Sequence, residues 1–337
     1  MSDLDYDLPA EAIAQTPIEP RDAARLLVDR GNDEPPAHRH VRDLPDLLQP
    51  GDLMVVNDTR VIPARLHLRR SSGGAVEVLL LEQRDAQGRS WQALVRPSRK
   101  LKVGEVVTHG DLAVELGPRL DDDGVREVRL LVDGDPLVAL ADHGSAPLPP
   151  YITTPLADPE RYQTVYATRP ASAAAPTAGL HLTPDVLARL GAMGVGMARV
   201  ELVVGLDTFR PVVVEDPDEH VMHTEAYHVA PAVLDRCRAT KAAGGRVVAV
   251  GTTSTRALES AAVRGPSGRT DLFIRRPYDW QVVDVMLTNF HLPRTTLLLM
   301  IDAFVGPRWR RLYETALAEH YRFLSFGDAM LLDRHAP

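Results

Sequence analysis

A chain of 337 residues is too long for one small core and comfortable for two domains, and a composition that is 45% hydrophobic and 25% charged is that of an ordinary folded protein. A net charge of −8 excludes a protein that coats nucleic acid indiscriminately, and the longest apolar stretches, such as Leu297 to Ile301, fall far short of the ~20 residues a membrane span requires. The single cysteine, Cys237, excludes internal disulfides and a Cys-rich zinc site; with a start that is acidic where a secretory signal is basic, it sets the expectation of a cytoplasmic protein, with no membrane association.

In chain order, Leu53 to Val56 is an unbroken apolar run, which predicts a strand buried on both faces, and Asn57, Asp58, Thr59 and Arg60 follow at its end. From 63 to 150 the texture changes to short β-rich runs, among them Val76 to Leu81, Trp91 to Val95, Leu112 to Leu116 and Val125 to Val132, separated by turns such as Asp121-Asp-Asp-Gly124. That spacing predicts a small antiparallel barrel. After Tyr151 the pattern is α/β. A helix is predicted over 184–191 with Thr183 as its N-cap, a strand over 200–204, a helix over 231–243 stopped by Gly244 and Gly245, a buried strand over 246–250 and a further helix opening at Gly251. The fold expected is therefore a larger α/β domain, 1–62 with 151–337, interrupted by a small inserted antiparallel β-barrel domain over 63–150.

Four polar clusters interrupt these apolar surroundings. Asn57 to Arg60 lies at a strand end, where ligands of open α/β sheets collect. Ala174 to His181 is a small-residue loop whose backbone can approach a ligand, with Thr177 and His181 as donors. His220, His223, Glu225 and His228 are close enough for metal ligation but lack His-Glu-x-x-His spacing, so proton transfer or hydrogen bonding is the better reading and no metal is expected. Gly251 to Arg256 is a strand-to-helix turn suited to a carboxylate or phosphate, paired later in the chain with Leu287 to Pro293. Neither a P-loop nor a dinucleotide fingerprint follows any strand. Three basic patches, Arg65 to Arg70, Arg96 to Lys102 and Arg308 to Arg311, are either an RNA-facing surface or ordinary solvated cations.

These clusters in this order resemble the S-adenosylmethionine:tRNA ribosyltransferase-isomerase family of the queuosine pathway. The resemblance runs over essentially the whole chain, through Gly51 to Leu66, Pro147 to Ile152, Glu160 to Ala167, Ala175-Pro-Thr-Ala-Gly-Leu-His181, His223-Thr-Glu225, Gly251-Thr-Thr253, Leu287-Thr-Asn-Phe-His-Leu-Pro293 and Tyr321 to Met330. It implies transfer and isomerisation of the ribosyl part of S-adenosylmethionine onto 7-aminomethyl-7-deazaguanine at the tRNA wobble position, giving epoxyqueuosine, adenine and methionine. S-adenosylmethionine is then a co-substrate, no true cofactor is needed, and the partner is a tRNA anticodon stem-loop met by a monomer. The catalytic set it suggests is His181, His223, Asp58 and Glu225. Substrate contacts fall to Arg60, Thr177, Gly179, Thr208, Thr252, Thr253, Arg256, Asn289, His291 and Asp328.

The family pattern Leu-His-Val-Gly-x-Gly-Thr-Phe stands here as Leu202-Val-Val-Gly-Leu-Asp-Thr-Phe209, so Val203 replaces a histidine and Asp207 a glycine. Leu182 stands for a phenylalanine, Ala226 for a tryptophan, and Pro277 lies in an altered turn. These departures keep open a paralogue acting on another acceptor. A non-catalytic RNA-binding module and a metal hydrolase on the histidine cluster are the readings from other classes.

Overall fold

The computed structural model describes residues 4–336 except 33, 122–123, 206–213, 215, 221 and 223. The chain folds into two compact units, Met1–Thr59 with Pro149–Thr168 and Pro176–Pro337, and Arg60–Leu148 with Arg169–Ala175.

The larger unit is built on a mixed sheet whose strands lie side by side in the order Ser267–Thr270, Glu225–His228, Gly196–Leu202, Leu53–Asn57, Val247–Val250, Val285–Asn289, Ala329–Asp333, Arg25–Val28 and Ala37–His40. The four strands from Gly196–Leu202 to Val285–Asn289 are mutually parallel. Leu53–Asn57 is buried at every position, as its unbroken apolar run predicts. Its alternate residues Met54 and Val56 join Val248, Val250, Val285 and Leu287 in one core cluster with Val186 and Leu190 of the helix Pro184–Ala192. Thr183 caps that helix, its Oγ1 accepting the Val186 amide at 3.3 Å. Val55, Ala249 and Met286 point the opposite way, and the helices Pro231–Ala242 and Gly251–Arg264 also pack on these strands. The strand expected over 200–204 begins earlier, at Gly196, whose amide already bonds Asp52 O at 2.8 Å. A Cβ there would meet Leu53 Cδ1 at 3.2 Å, so glycine lets the two strands approach.

In the smaller unit six antiparallel strands, Arg65–Arg70, Ala75–Gln83, Ser90–Arg96, Val125–Leu131, Leu112–Arg119 and Val106–His109, close on themselves where Arg69 pairs with Thr108 and Arg70 with Val107. Leu66, Leu68, Val76, Val78, Leu80, Trp91, Ala93, Val95, Val114, Leu116, Val128 and Leu130 alternate inward and fill the barrel. The fold is thus α/β with a closed six-stranded barrel. A short helix, Pro136–His143, was not anticipated. Its signal is a single Asp135-Pro136 start, with Asp135 Oδ1 accepting the Leu137 amide at 2.9 Å, and eight residues carry too little periodicity to betray it. No helix among the described residues is long and apolar enough to cross a membrane.

Candidate active site

Because the four central strands run parallel, their C-terminal ends share one edge, and Asn57, Leu202, Gly251 and Asn289 stand along it. Asn57 is fully buried and ties two of these ends together. Its Nδ2 donates to Leu202 O at 3.0 Å, and its Oδ1 accepts from the amides of Leu202 and Thr59 at 3.3 Å. Asp58 accepts from Thr168 Oγ1 at 2.9 Å and lies 3.5 Å from the Arg199 guanidinium, which also donates to Tyr166 O. Burial raises the Tyr166 phenol well above its ordinary range. That hydroxyl fills the place a Cβ on residue 179 would take, which is why Gly179 is glycine.

Gly179 belongs to a helical turn, Thr177–His181, that brings Thr177 and His181 onto Asn289. Asn289 Nδ2 donates to the carbonyls of Leu324 and Asp328, at 3.2 and 3.4 Å, while Oδ1 accepts from Thr177 Oγ1 at 3.0 Å. Two carbonyls on one side and a hydroxyl on the other fix which way the amide faces. The remaining contact, Nδ2 to His181 Nε2 at 3.1 Å, therefore makes Nε2 an acceptor and leaves the ring proton on Nδ1. Burial, then the positive charges of Arg322, Arg21 and Arg161, lower the His181 pKa to about 4, so the ring is neutral at pH 7. His181 also lines a small cavity with Arg21, Arg161, Ser325 and Phe326. Asp328 contributes its carbonyl to this network, but its carboxylate accepts the amides of Arg25 and Arg322, both at 2.8 Å. His291 is placed elsewhere. Its ring meets Thr288 Oγ1 at 3.1 Å, its backbone is held by Tyr313 and Tyr6, and burial lowers its pKa to about 3.

A second pocket lies at the start of the helix Gly251–Arg264. Thr252, Thr253, Thr296, Glu225 and Arg256 supply its polar lining, and Leu202, Met222, Phe273 and Met300 are among its apolar walls. The helix has no side-chain N-cap, and among the described residues Thr253 Oγ1 is buried without a hydrogen-bond partner. Arg256 Nη1 donates to Glu225 Oε2 at 2.8 Å and Nη2 to Thr270 O at 3.3 Å, while Glu225 Oε1 accepts the Gly205 amide at 3.2 Å. The sequence clusters thus form two neighbouring polar groups, around Asn289 and around Thr253. Ala178, on the Thr177–His181 turn, is the side chain nearest to where a Cβ on Gly251 would lie.

The family model for the queuosine biosynthesis protein matches residues 1–332. The chain belongs to that family. Proteins named S-adenosylmethionine:tRNA ribosyltransferase-isomerase are similar to it over full length. That of Symbiobacterium thermophilum is 50% identical over 98% of this chain and 99% of its own, and that of Anaeromyxobacter dehalogenans 50% identical over 99% of each. A crystal structure of an S-adenosylmethionine tRNA ribosyltransferase from Thermotoga maritima is 36% identical, covers 98% of this chain and 99% of its own, and superposes with a TM-score of 0.56. As a member of the queuosine biosynthesis family, the chain is an enzyme.

Against that family, Leu182 is fully buried in the core cluster, so this departure is one of packing. Val203 extends a strand by bonding Ala226 O at 2.9 Å, whereas Asp207, Thr208 and His223 lie outside the described residues. Arg60 falls in the barrel unit. His220 lies edge-on to Phe273 at 5.5 Å, His228 is exposed, and among the described residues no three His, Cys, Asp or Glu side chains converge as metal ligands. Sequence reasoning missed Arg21, Arg161, Tyr166, Thr168 and Arg199. Arg161 and Tyr166 lie within a stretch that carries the family resemblance, yet only tertiary folding brings Arg21 and Arg161 to His181, and Tyr166 to Asp58.

Proposed function

We propose that this chain transfers and isomerises the ribosyl group of S-adenosylmethionine onto 7-aminomethyl-7-deazaguanine at the wobble position of a tRNA, giving epoxyqueuosine, adenine and methionine. The observation that carries the reading is identity of about one half, over the full length, to proteins named S-adenosylmethionine:tRNA ribosyltransferase-isomerase. No metal or redox group is needed, because the sulfonium acidifies the adjacent 5′ carbon and the donor brings its own leaving groups. A base removes a 5′ proton, the C1′–O4′ bond opens, adenine leaves C1′ with a proton, the aminomethyl nitrogen bonds C1′ and gives up a proton, C5′ bonds C1′ to close the cyclopentane, and O4′ displaces methionine from C5′ to form the epoxide. The compartment this requires is the cytoplasm, where tRNA is modified.

The roles follow from the two polar groups. The uncapped helix start at Thr252 and Thr253 suits the methionine carboxylate. Arg256 is engaged by Glu225, so its part is to shape that pocket. Asp58 orients the ribose. His181, with its Nε2 lone pair occupied by Asn289, offers a neutral Nδ1–H donor, which leaves His223 for the base. The test incubates the protein with S-adenosylmethionine and tRNA carrying the deazaguanine, then measures adenine release and epoxyqueuosine. Substituting both His181 and His223 by Ala with turnover unchanged would remove the proton-transfer assignment. Val203 and Asp207 favour a second reading, a paralogue for another acceptor; adenine release only with that acceptor would select it.

A further inference from the structure

The sequence holds three basic patches, and folding treats them differently. In the first, Arg65 pairs with Glu77 at 3.2 Å, Arg70 holds Glu105 at 2.5 and 3.1 Å, and Arg69 donates to Gly73 O. In the last, Arg308 pairs with Asp29 at 2.9 Å, Arg310 lies 4.8 Å over the Trp309 ring, and Arg311 donates to the carbonyls of Asn32, Glu34 and Gly31. In the middle patch, between the barrel strands Ser90–Arg96 and Val106–His109, the side chains of Arg96, Arg99 and Lys100 are exposed and make no hydrogen bond, ion pair or ring contact among the described residues.

Among the described residues, the acidic neighbours are already engaged. Glu77 stands opposite Arg96 in the strand ladder and is taken by Arg65. Glu105 is held by Arg70 and by the Lys102 amide. The turn at Gly124 packs against Ser98, and Asp121 in that turn accepts the amides of Gly124 and Val125. Three like charges within five residues repel one another. Val103, 68% exposed, adds an apolar side chain beside them. The bias extends to the whole unit, which carries 14 Lys and Arg against 13 Asp and Glu, whereas the rest of the chain carries 24 against 33.

We propose that the loop 96–102 holds the phosphate backbone of the substrate RNA, with Arg96, Arg99 and Lys100 as the phosphate contacts. This rests on the tRNA reading above. Contacts of this kind position an RNA without reading its sequence, and they make binding depend on salt. The test measures tRNA affinity against salt for the wild type and for Arg96→Gln/Arg99→Gln/Lys100→Gln. The triple variant should bind tRNA about tenfold or more weakly at ~0.1 M salt, and the slope of log affinity on log salt should fall by about 2 to 3. The KM for tRNA should rise, with kcat at saturating tRNA and the KM for S-adenosylmethionine unchanged. Arg65→Gln, in a neutralised patch, should leave the slope where it is. Should the triple variant fail to fold, Arg99→Gln alone should lower the slope by about 1. An unchanged slope overturns the proposal, as does a triple variant that loses binding to phosphatidylserine vesicles while keeping its tRNA affinity. Because binding needs no turnover, tRNA held through the loop without adenine release overturns the proposed reaction alone, and turnover with an unchanged slope overturns the loop alone.

Discussion

In the barrel nearly every inward position is Val, Leu, Ala or Trp, with Arg126 the buried exception, its guanidinium donating to Gly117 O. In the larger unit Asn57, His181, Glu225, Arg256, Glu259, Asn289, His291 and Asp328 are all buried. Buried polar groups demand partners, and these have them; Glu259, for example, accepts the amides of Gln281, Val282 and Val283 at 2.9 to 3.0 Å. The difference teaches where a substitution will be felt. Changing one member of a buried network strands the others, while a charge on the barrel surface answers mainly to solvent and to whatever binds it.

The largest effect should come from splitting the buried pair. Arg256→Met should cost about 3–5 kcal/mol in urea unfolding by leaving Glu225 uncompensated, and Glu225→Leu/Arg256→Met should recover much of that loss. If the single variant unfolds like wild type but shows a raised KM for S-adenosylmethionine, Arg256 is a ligand contact and the pair is not structural. Next, Gly179→Ala must displace the Tyr166 hydroxyl. We expect about 1–3 kcal/mol lost in thermal unfolding, together with a fall in turnover, because the same turn carries His181.

The pH dependence of stability sharpens the comparison further. His181 and His291 have folded pKa values depressed to about 4 and about 3, below the ordinary 6.5. Between 6.5 and those values only the unfolded chain takes up the protons, so stability is full above about pH 6.5 and falls as pH drops. Each histidine contributes about 1.4 kcal/mol per pH unit in that window. Urea midpoints at pH 7 and pH 5 test this, and His181→Gln should flatten the slope. The smallest effect belongs to the barrel surface. Arg65→Gln breaks a partly exposed pair and should change stability by no more than about 1 kcal/mol in the same assay.

What was legible in the sequence follows this division. The barrel could be read because alternation such as Val76, Val78 and Leu80 is local, and so could the Leu53–Asn57 strand and the capped helix after Thr183. The polar groups at the strand ends were legible as residues, since Asn289, His181 and Thr177 interrupt apolar or small-residue runs. Their partnerships were not. Nothing local says that Arg256 meets Glu225, 31 residues away, or that Asn289 meets His181 across 108. His291 shows the limit in the other direction: a histidine two residues from Asn289 in sequence sits in a different environment, because the strand Val285–Asn289 ends at Asn289 and His291 lies in the segment after it, its ring against Thr288.

The placement of Leu53–Asn57 has a consequence for how the chain is made. Its neighbours in the sheet are residues 196–200 and 247–250, so at a synthesis rate of ~5–20 residues per second the strand waits for roughly 7 to 30 s before its first partner exists. The six barrel strands are complete well within that interval and can pair with one another as they emerge. A nascent chain of this protein therefore passes through a stage in which the small unit has its strands while an apolar central strand still lacks neighbours, the stage at which a ribosome-associated chaperone has most to shield.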